Sequence, residues 1–160
     1  MTKLGSPLDG ETQYWITSVK TDKHRTAEEA IRNSVGHDHE WGLGGPKAPS
    51  RKSMKPGDWI CFYAVDIGVV AHAPIASSPQ QTSHPSMLDP TEGEWRFRLD
   101  SPALYLEKPL VIDEPLRARL EALDDTPPSA NWGWLVLGSK RVTQHDFAIL
   151  TGQERIEDSA

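Results

Sequence analysis

Along the chain, runs that alternate or stay apolar are separated by polar stretches rich in glycine and proline. Residues 13–19 (QYWITSV) are dense in aromatic and β-branched types and form the first predicted strand. After a polar linker over 20–25, Thr26 and Glu29 have the spacing in which each side chain satisfies the other residue's backbone donor. Ala27, Ala30, Ile31 and Val35 recur behind them at helical spacing, with Gly36 as the stop. Residues 37–55 lack periodicity, and an irregular stretch of that length in a compact domain is usually functional. Lys55-Pro56-Gly57-Asp58 places Pro and Gly at the central positions of a type II turn. Two runs follow, 58–65 and 67–75, joined at Asp66 and apolar almost throughout, as in the buried centre of a sheet.

The second half is more broken. Residues 77–93 are polar and predict a loop, whereas Trp95-Arg96-Phe97-Arg98-Leu99 alternates and predicts a strand with one buried face. Residues 103–106 and 109–112 are two further strand pieces. Leu116, Leu120 and Leu123 behind Pro115 predict a short helix, 132–137 a strand, and 143–150 a helix capped by Thr143 and stopped by Gly152. The expected architecture is α+β: a curled sheet or barrel of about six strands with three short helices at its edges. It occupies 13–152, between a flexible polar tail over 1–12 and an acidic tail over 153–160. Strands do not alternate regularly with helices, which argues against a doubly wound nucleotide fold.

Composition narrows the function. The 160 residues suit one domain, and 37% hydrophobic residues suffice for a core without staples. A net charge of −6 excludes a general electrostatic coat for DNA, so contact with nucleic acid needs a local basic patch. No apolar run approaches a membrane span, and the N-terminus lacks a signal-peptide stretch, so the expected location is cytoplasmic with no membrane partner. The single cysteine, Cys61, excludes an internal disulfide; in an apolar strand it reads as a small buried hydrophobe and not as a catalytic thiolate.

Sites of chemistry are few. GLGGPK at 42–47 is not a phosphate loop, because its spacing is wrong and Pro46 breaks the helix that must follow. There is no G-x-S-x-G elbow and no H-E-x-x-H helix. His37-Asp38-His39-Glu40 is the best metal candidate, with His24, His72, His84 or His145 to complete it, yet a polar loop fixes no ligand geometry; no metal or other cofactor is expected. Lys47, Arg51, Lys52 and Lys55 put four positive charges within nine residues, in the same irregular stretch as Trp41. A base-stacking surface beside phosphate-neutralising charge is what single-strand or flipped-base binding requires. Lys20 and Arg141 are further candidates for contact with a nucleic-acid backbone.

Tyr14-Trp15-Ile16, then Lys47-Ala48-Pro49, Met54-Lys55-Pro56-Gly57-Asp58-Trp59-Ile60 and Phe62-Tyr63, and later Trp132-Gly133 and Val142-Thr143-x-x-Asp146-Phe147, follow a recognisable order. In this order the chain resembles the EVE domain of the PUA-like superfamily over about 13–152; its first strand, helix and Trp-bearing loop are also similar to the YTH reader of N6-methyladenine. The resemblance implies a non-enzymatic reader of a modified base: methylated or hydroxymethylated cytosine in DNA, or methylated adenine in RNA. Its partners would be nucleic acid and, in bacteria, restriction or RNA-processing proteins. By position, the base pocket would comprise Trp15, Ser18, Trp41, Gly42, Leu43 and Trp132. Trp41 stands out because a Trp between glycines and histidines has no core role visible in the sequence. Many EVE domains carry an Arg-Asn pair after the loop Trp, where this chain has Leu43-Gly44-Gly45.

Two other readings use the same residues. A related ASCH-like amidohydrolase acting on an acylated nucleoside would need a lysine with threonine and glutamate nearby, for which Lys20, Thr17, Thr21 and Glu94 are available. The six tryptophans could instead form a protein-docking surface.

Overall fold

A computed structural model describes residues 12–21, 23, 25–42, 53–85, 93–100, 104–124, 132–136 and 139–153. β1 (Tyr14–Val19) is followed by α1 (Ala27–Ile31), which widens into π-type turns over Arg32–Asp38. Next come β2 (Glu40–Gly42), β3 (Trp59–Ala64), β4 (Gly68–Pro74), β5 (Gln80–Pro85), β6 (Gly93–Arg98) and β7 (Leu104–Leu110). The chain closes with α2 (Glu114–Arg117), 3-10 turns at Glu121–Leu123 and Gly133–Val136, β8 (Ser139–Val142) and α3 (Gln144–Leu150).

The strands form a five-stranded sheet ordered β7-β4-β3-β1-β8 and a three-stranded sheet ordered β2-β6-β5. β1 runs parallel to β3, and the other pairs are antiparallel. A bridge between Ile75 and Leu99 joins the two sheets. The α+β class stands, with three short α-helices among the described elements. Among the described residues the strands number eight, not about six, and the five-stranded sheet is open, with β7 and β8 at its edges.

Strand alternation divides the core. Trp15, Ile60 and Phe62 face Ile31, Val35, Trp41 and Phe97 on one side of the large sheet. Ile16, Cys61 and Tyr63 face Leu116, Leu120, Leu135 and Phe147 on the other. β3 and β4 are covered on both faces, which is why they read as continuous apolar runs. Among the described residues, no helix is long and apolar enough to cross a membrane.

Five local expectations change. The helix does not stop at Gly36; wider turns carry it to a left-handed His39 (φ 55°) and keep Ala27, Ile31 and Val35, four residues apart, all buried. The polar 77–93 stretch contains β5, whose polarity suits an edge strand. The two pieces expected at 103–106 and 109–112 are one edge strand, β7, which tolerates Pro109. The strand expected at 132–137 is a 3-10 turn: the Val136 carbonyl accepts from the Ser18 hydroxyl, and β8 takes the ladder beside β1. The helix on Leu116, Leu120 and Leu123 is also split, because the buried Asp146 carboxylate accepts from the backbone N–H groups of Glu121 (2.8 Å) and Ala122 (3.0 Å) and starts a separate turn there.

Asp58 is the polar anchor of the sheet. The Lys55–Asp58 turn forms as expected, with Gly57 at φ +92° and the Asp58 N–H donating to the Lys55 carbonyl at 3.1 Å. That turn puts a fully buried carboxylate at the mouth of β3. It accepts from the Gln13 backbone N–H (3.0 Å), the Gln13 side-chain amide (2.8 Å), the Trp15 indole N–H (3.1 Å), the Lys55 backbone N–H (3.0 Å) and the Lys55 ammonium (3.0 Å). Asp58→Ala strands these donors and is expected to cost ~3–5 kcal/mol of stability. Lys55→Ala leaves the carboxylate its other donors and is expected to cost about 1 kcal/mol or less. Urea unfolding of the two variants checks the ranking; equal losses would contradict it.

Candidate nucleic-acid interface

The residues proposed for a base pocket divide between the two faces of the large sheet. Trp15 is interior, its indole held by Asp58. Trp41 lies in β2 opposite Phe97, 7% exposed, its ring 4.7 Å from that of Phe62. This corrects the expectation that Trp41 has no core role: a three-residue strand inside the irregular stretch gives it one. Gly42 follows, half-buried, and Leu43 lies outside the described residues. Ser18, an odd number of residues from Trp15, emerges on the opposite face. Trp132 packs on that face too, half-buried, with the Arg117 guanidinium 4.9 Å from its ring centre and Tyr63 edge-on at 6.5 Å. Trp15 and Trp41 thus pack on one face of the sheet and Trp132 on the other.

The basic residues also separate. Lys55 is tied to Asp58, and Arg141 donates to the Gln13 side-chain oxygen at 3.0 Å. Lys20 is exposed just past the end of β1. Lys47, Arg51 and Lys52 lie outside the described residues. The hydroxyls named for an amidohydrolase are engaged: Thr17 with Ser139 at 2.9 Å, and Thr21 as acceptor for the Ala27 N–H at 2.9 Å. Side-chain placement of Glu94 lies outside the described residues.

Among the metal candidates, His37 and Asp38 pair with each other in solvent at 2.9 Å. Glu121, His145 and Asp146 do converge, but both Asp146 oxygens already serve the backbone of residues 121 and 122. The Cys61 thiol is fully buried, and burial pushes its pKa far up, in keeping with an inert role.

Sequence reasoning missed an aromatic cavity under α3. It has a volume of about 250 Å³ and is lined by Tyr14, Trp59, His72, Leu104, Gln144, Phe147, Ala148 and Gln153. Strand register builds it: Tyr14 sits beside Trp59, and His72 beside Leu104. Tyr14 and Phe147 rings are 5.1 Å apart, and His72 lies 5.9 Å from both Trp59 and Phe147. A signal existed in the sequence, since His72 interrupts an otherwise apolar strand. Burial holds the His72 imidazole below its ordinary 6.5 and raises the Tyr14 phenol.

No known family profile matches the chain. The UPF0310 protein msl3206 of Mesorhizobium japonicum is 27% identical over 144 residues, spanning 86% of this chain and 88% of that one. Among solved structures, two examples share the architecture of this chain. Human THYN1 in complex with 5-methylcytosine-containing DNA superposes with a TM-score of 0.50 at 13% identity, covering 89% of this chain and 98% of that one. The YTH domain-containing protein mmi1 in complex with RNA gives 0.54 at 12% identity, covering 91% and 87%. What is shared is the fold.

The titration of His72 has a measurable consequence. Its pKa is lower folded than unfolded, so on acidification through about 6.5 the unfolded chain takes up a proton that the native ring resists. Its contribution is complete above that value and shrinks as pH falls below it. His145 acts oppositely: its hydrogen bond with Asp146, then Glu121 and the other nearby carboxylates, raise its pKa, so its contribution fades as pH rises through that raised value. His72→Phe should therefore lose less stability than the natural protein between about pH 7 and pH 5, read from urea midpoints. Parallel pH profiles would contradict this assignment.

Proposed function

We propose that this protein is a non-enzymatic reader of the EVE type, binding one modified nucleobase in DNA or RNA: methylated or hydroxymethylated cytosine, or N6-methyladenine. The observation that carries the reading is the architecture held in common with THYN1 bound to methylated DNA and with mmi1 bound to RNA. The 27% identical relative supports an ancestry broader than this chain, and the Tyr14-Trp15 and Lys55–Trp59 motifs support the EVE assignment.

In this reading the base is received beside Trp41, Gly42 and Leu43, and Lys20, Lys47, Arg51 and Lys52 meet the backbone. Trp41 serves as a wall held in place by Phe62, not as a free stacking platform. Trp15 braces the same side from within, while Ser18 and Trp132, on the opposite face, take no part.

Energetics set the scale. Stacking contributes ~1–3 kcal/mol per base, and extrusion from a duplex costs a few kcal/mol, so local cations must add backbone attraction. One buried methyl gains ~0.8 kcal/mol, about fourfold in affinity; greater selectivity needs walls that exclude water.

Fluorescence anisotropy with single- and double-stranded oligonucleotides carrying 5-methylcytosine, 5-hydroxymethylcytosine, N6-methyladenine or no modification tests the reading. Expected are at least a fourfold preference for one modified base and a log–log salt slope of about −2 to −3, from roughly three phosphate contacts. Replacing Lys47, Arg51 and Lys52 by alanine should flatten that slope. Trp41→Phe, chosen because alanine in a core Trp site costs ~3–5 kcal/mol of stability, should weaken binding with the fold intact. Equal or absent binding across the panel would overturn the proposal.

A further inference from the structure

The cavity under α3 lies across the large sheet from Trp41 and is independent of the proposed nucleic-acid interface. We propose that it is a second binding site, for a small uncharged planar heteroaromatic ring bearing a lactam-type N–H and C=O edge.

Three properties define that ligand. The first is charge: among the described residues, no Asp, Glu, Lys or Arg lines the cavity. An ionic ligand would lose its hydration without gaining a counter-charge, whereas a neutral one would not. The lining itself is uncharged near neutrality, since burial keeps the imidazole deprotonated and the phenol protonated. The second is shape and size. Tyr14, Trp59 and Phe147 offer rings to a flat partner, and about 250 Å³ falls below the range of drug-sized pockets, enough for one ring system.

The third is polarity in an otherwise apolar wall. His72 is more than nine-tenths buried, and its Nδ1 has no hydrogen-bond partner among the described residues. An unsatisfied buried nitrogen is destabilising, so a leucine or phenylalanine there would serve packing better. That Nδ1 has no accessible surface, so of the imidazole only the other nitrogen can meet a ligand, and the Gln144 and Gln153 amides supply further donors and acceptors at the cavity. A lactam edge matches that set, and a hydrocarbon does not.

Proton–nitrogen correlation spectra of the whole chain, titrated with hypoxanthine, uracil and 5-methylcytosine as free bases, test the site; benzoate and tetramethylammonium are the charged controls. The Trp59 indole signal, assigned through Trp59→Phe, should shift with at least one neutral base and with neither control. Ala148→Leu, which fills the cavity from α3, should weaken that response at least tenfold. If this variant does not fold, His72→Phe provides the same test: it keeps the ring packing, removes both nitrogens, and should weaken the response at least fivefold. Oligonucleotide binding should be unchanged in either variant, which separates this site from the Trp41 face. No Trp59 shift with any neutral base, an equal shift with the charged controls, or an undiminished response in the folded variant would overturn the proposal.

Discussion

A carboxylate removed from water must be matched by donors, and the fold is arranged to supply them to Asp58. The Lys55–Asp58 turn provides two, the residue before β1 provides two, and the Trp15 indole provides a fifth. These contacts link the starts of β1 and β3, which are parallel neighbours and have no short connection to hold them in register. Once Tyr14 is set beside Trp59, alternation settles the rest: Trp15 goes to the face shared with α1 and the small sheet, and Tyr14 to the face shared with α3. Asp146 does similar work on that second face, where it caps the 3-10 turn after α2. Among the described residues, the buried acids Asp58 and Asp146 belong to the scaffold, and the proposed recognition uses aromatic, amide and basic groups.

This division gives the two faces different chemistry. On one, Trp41 is fixed against Phe62 at the point where the chain enters its densest basic segment. On the other, a small aromatic cavity carries no charged lining among the described residues. With a net charge of −6, the proposed attraction of nucleic acid needs a local basic patch, and the proposed ligand of the second face is a neutral ring.

Much of the scaffold was legible because local chemistry is strong where it matters. The Thr26–Glu29 capping box forms with both bonds, the Thr143 cap accepts the Asp146 N–H, and the Gly57 turn adopts the positive φ its sequence requires. β5 was missed because an edge strand has no need of apolar alternation. Residues 132–137 misled because a short apolar run does not distinguish a strand from a turn burying Leu135. Spacing alone places Trp15 and Ser18 on opposite faces of one strand, but the core partner of Trp41, Phe62, comes from distant sequence. A lone imidazole in a buried strand, as at His72, marks a cavity as readily as a metal site.

The central claim is that modified nucleic acid is met on the Trp41 face. Chemical-shift mapping with a 5-methylcytosine oligonucleotide and an N6-methyladenine oligonucleotide addresses it most directly. The account expects perturbations centred on Lys20, Trp41 and the segment from Gly42 to Lys55, with Tyr14, His72 and Phe147 undisturbed. Perturbations confined to the α3 face, or none with either oligonucleotide, would contradict it.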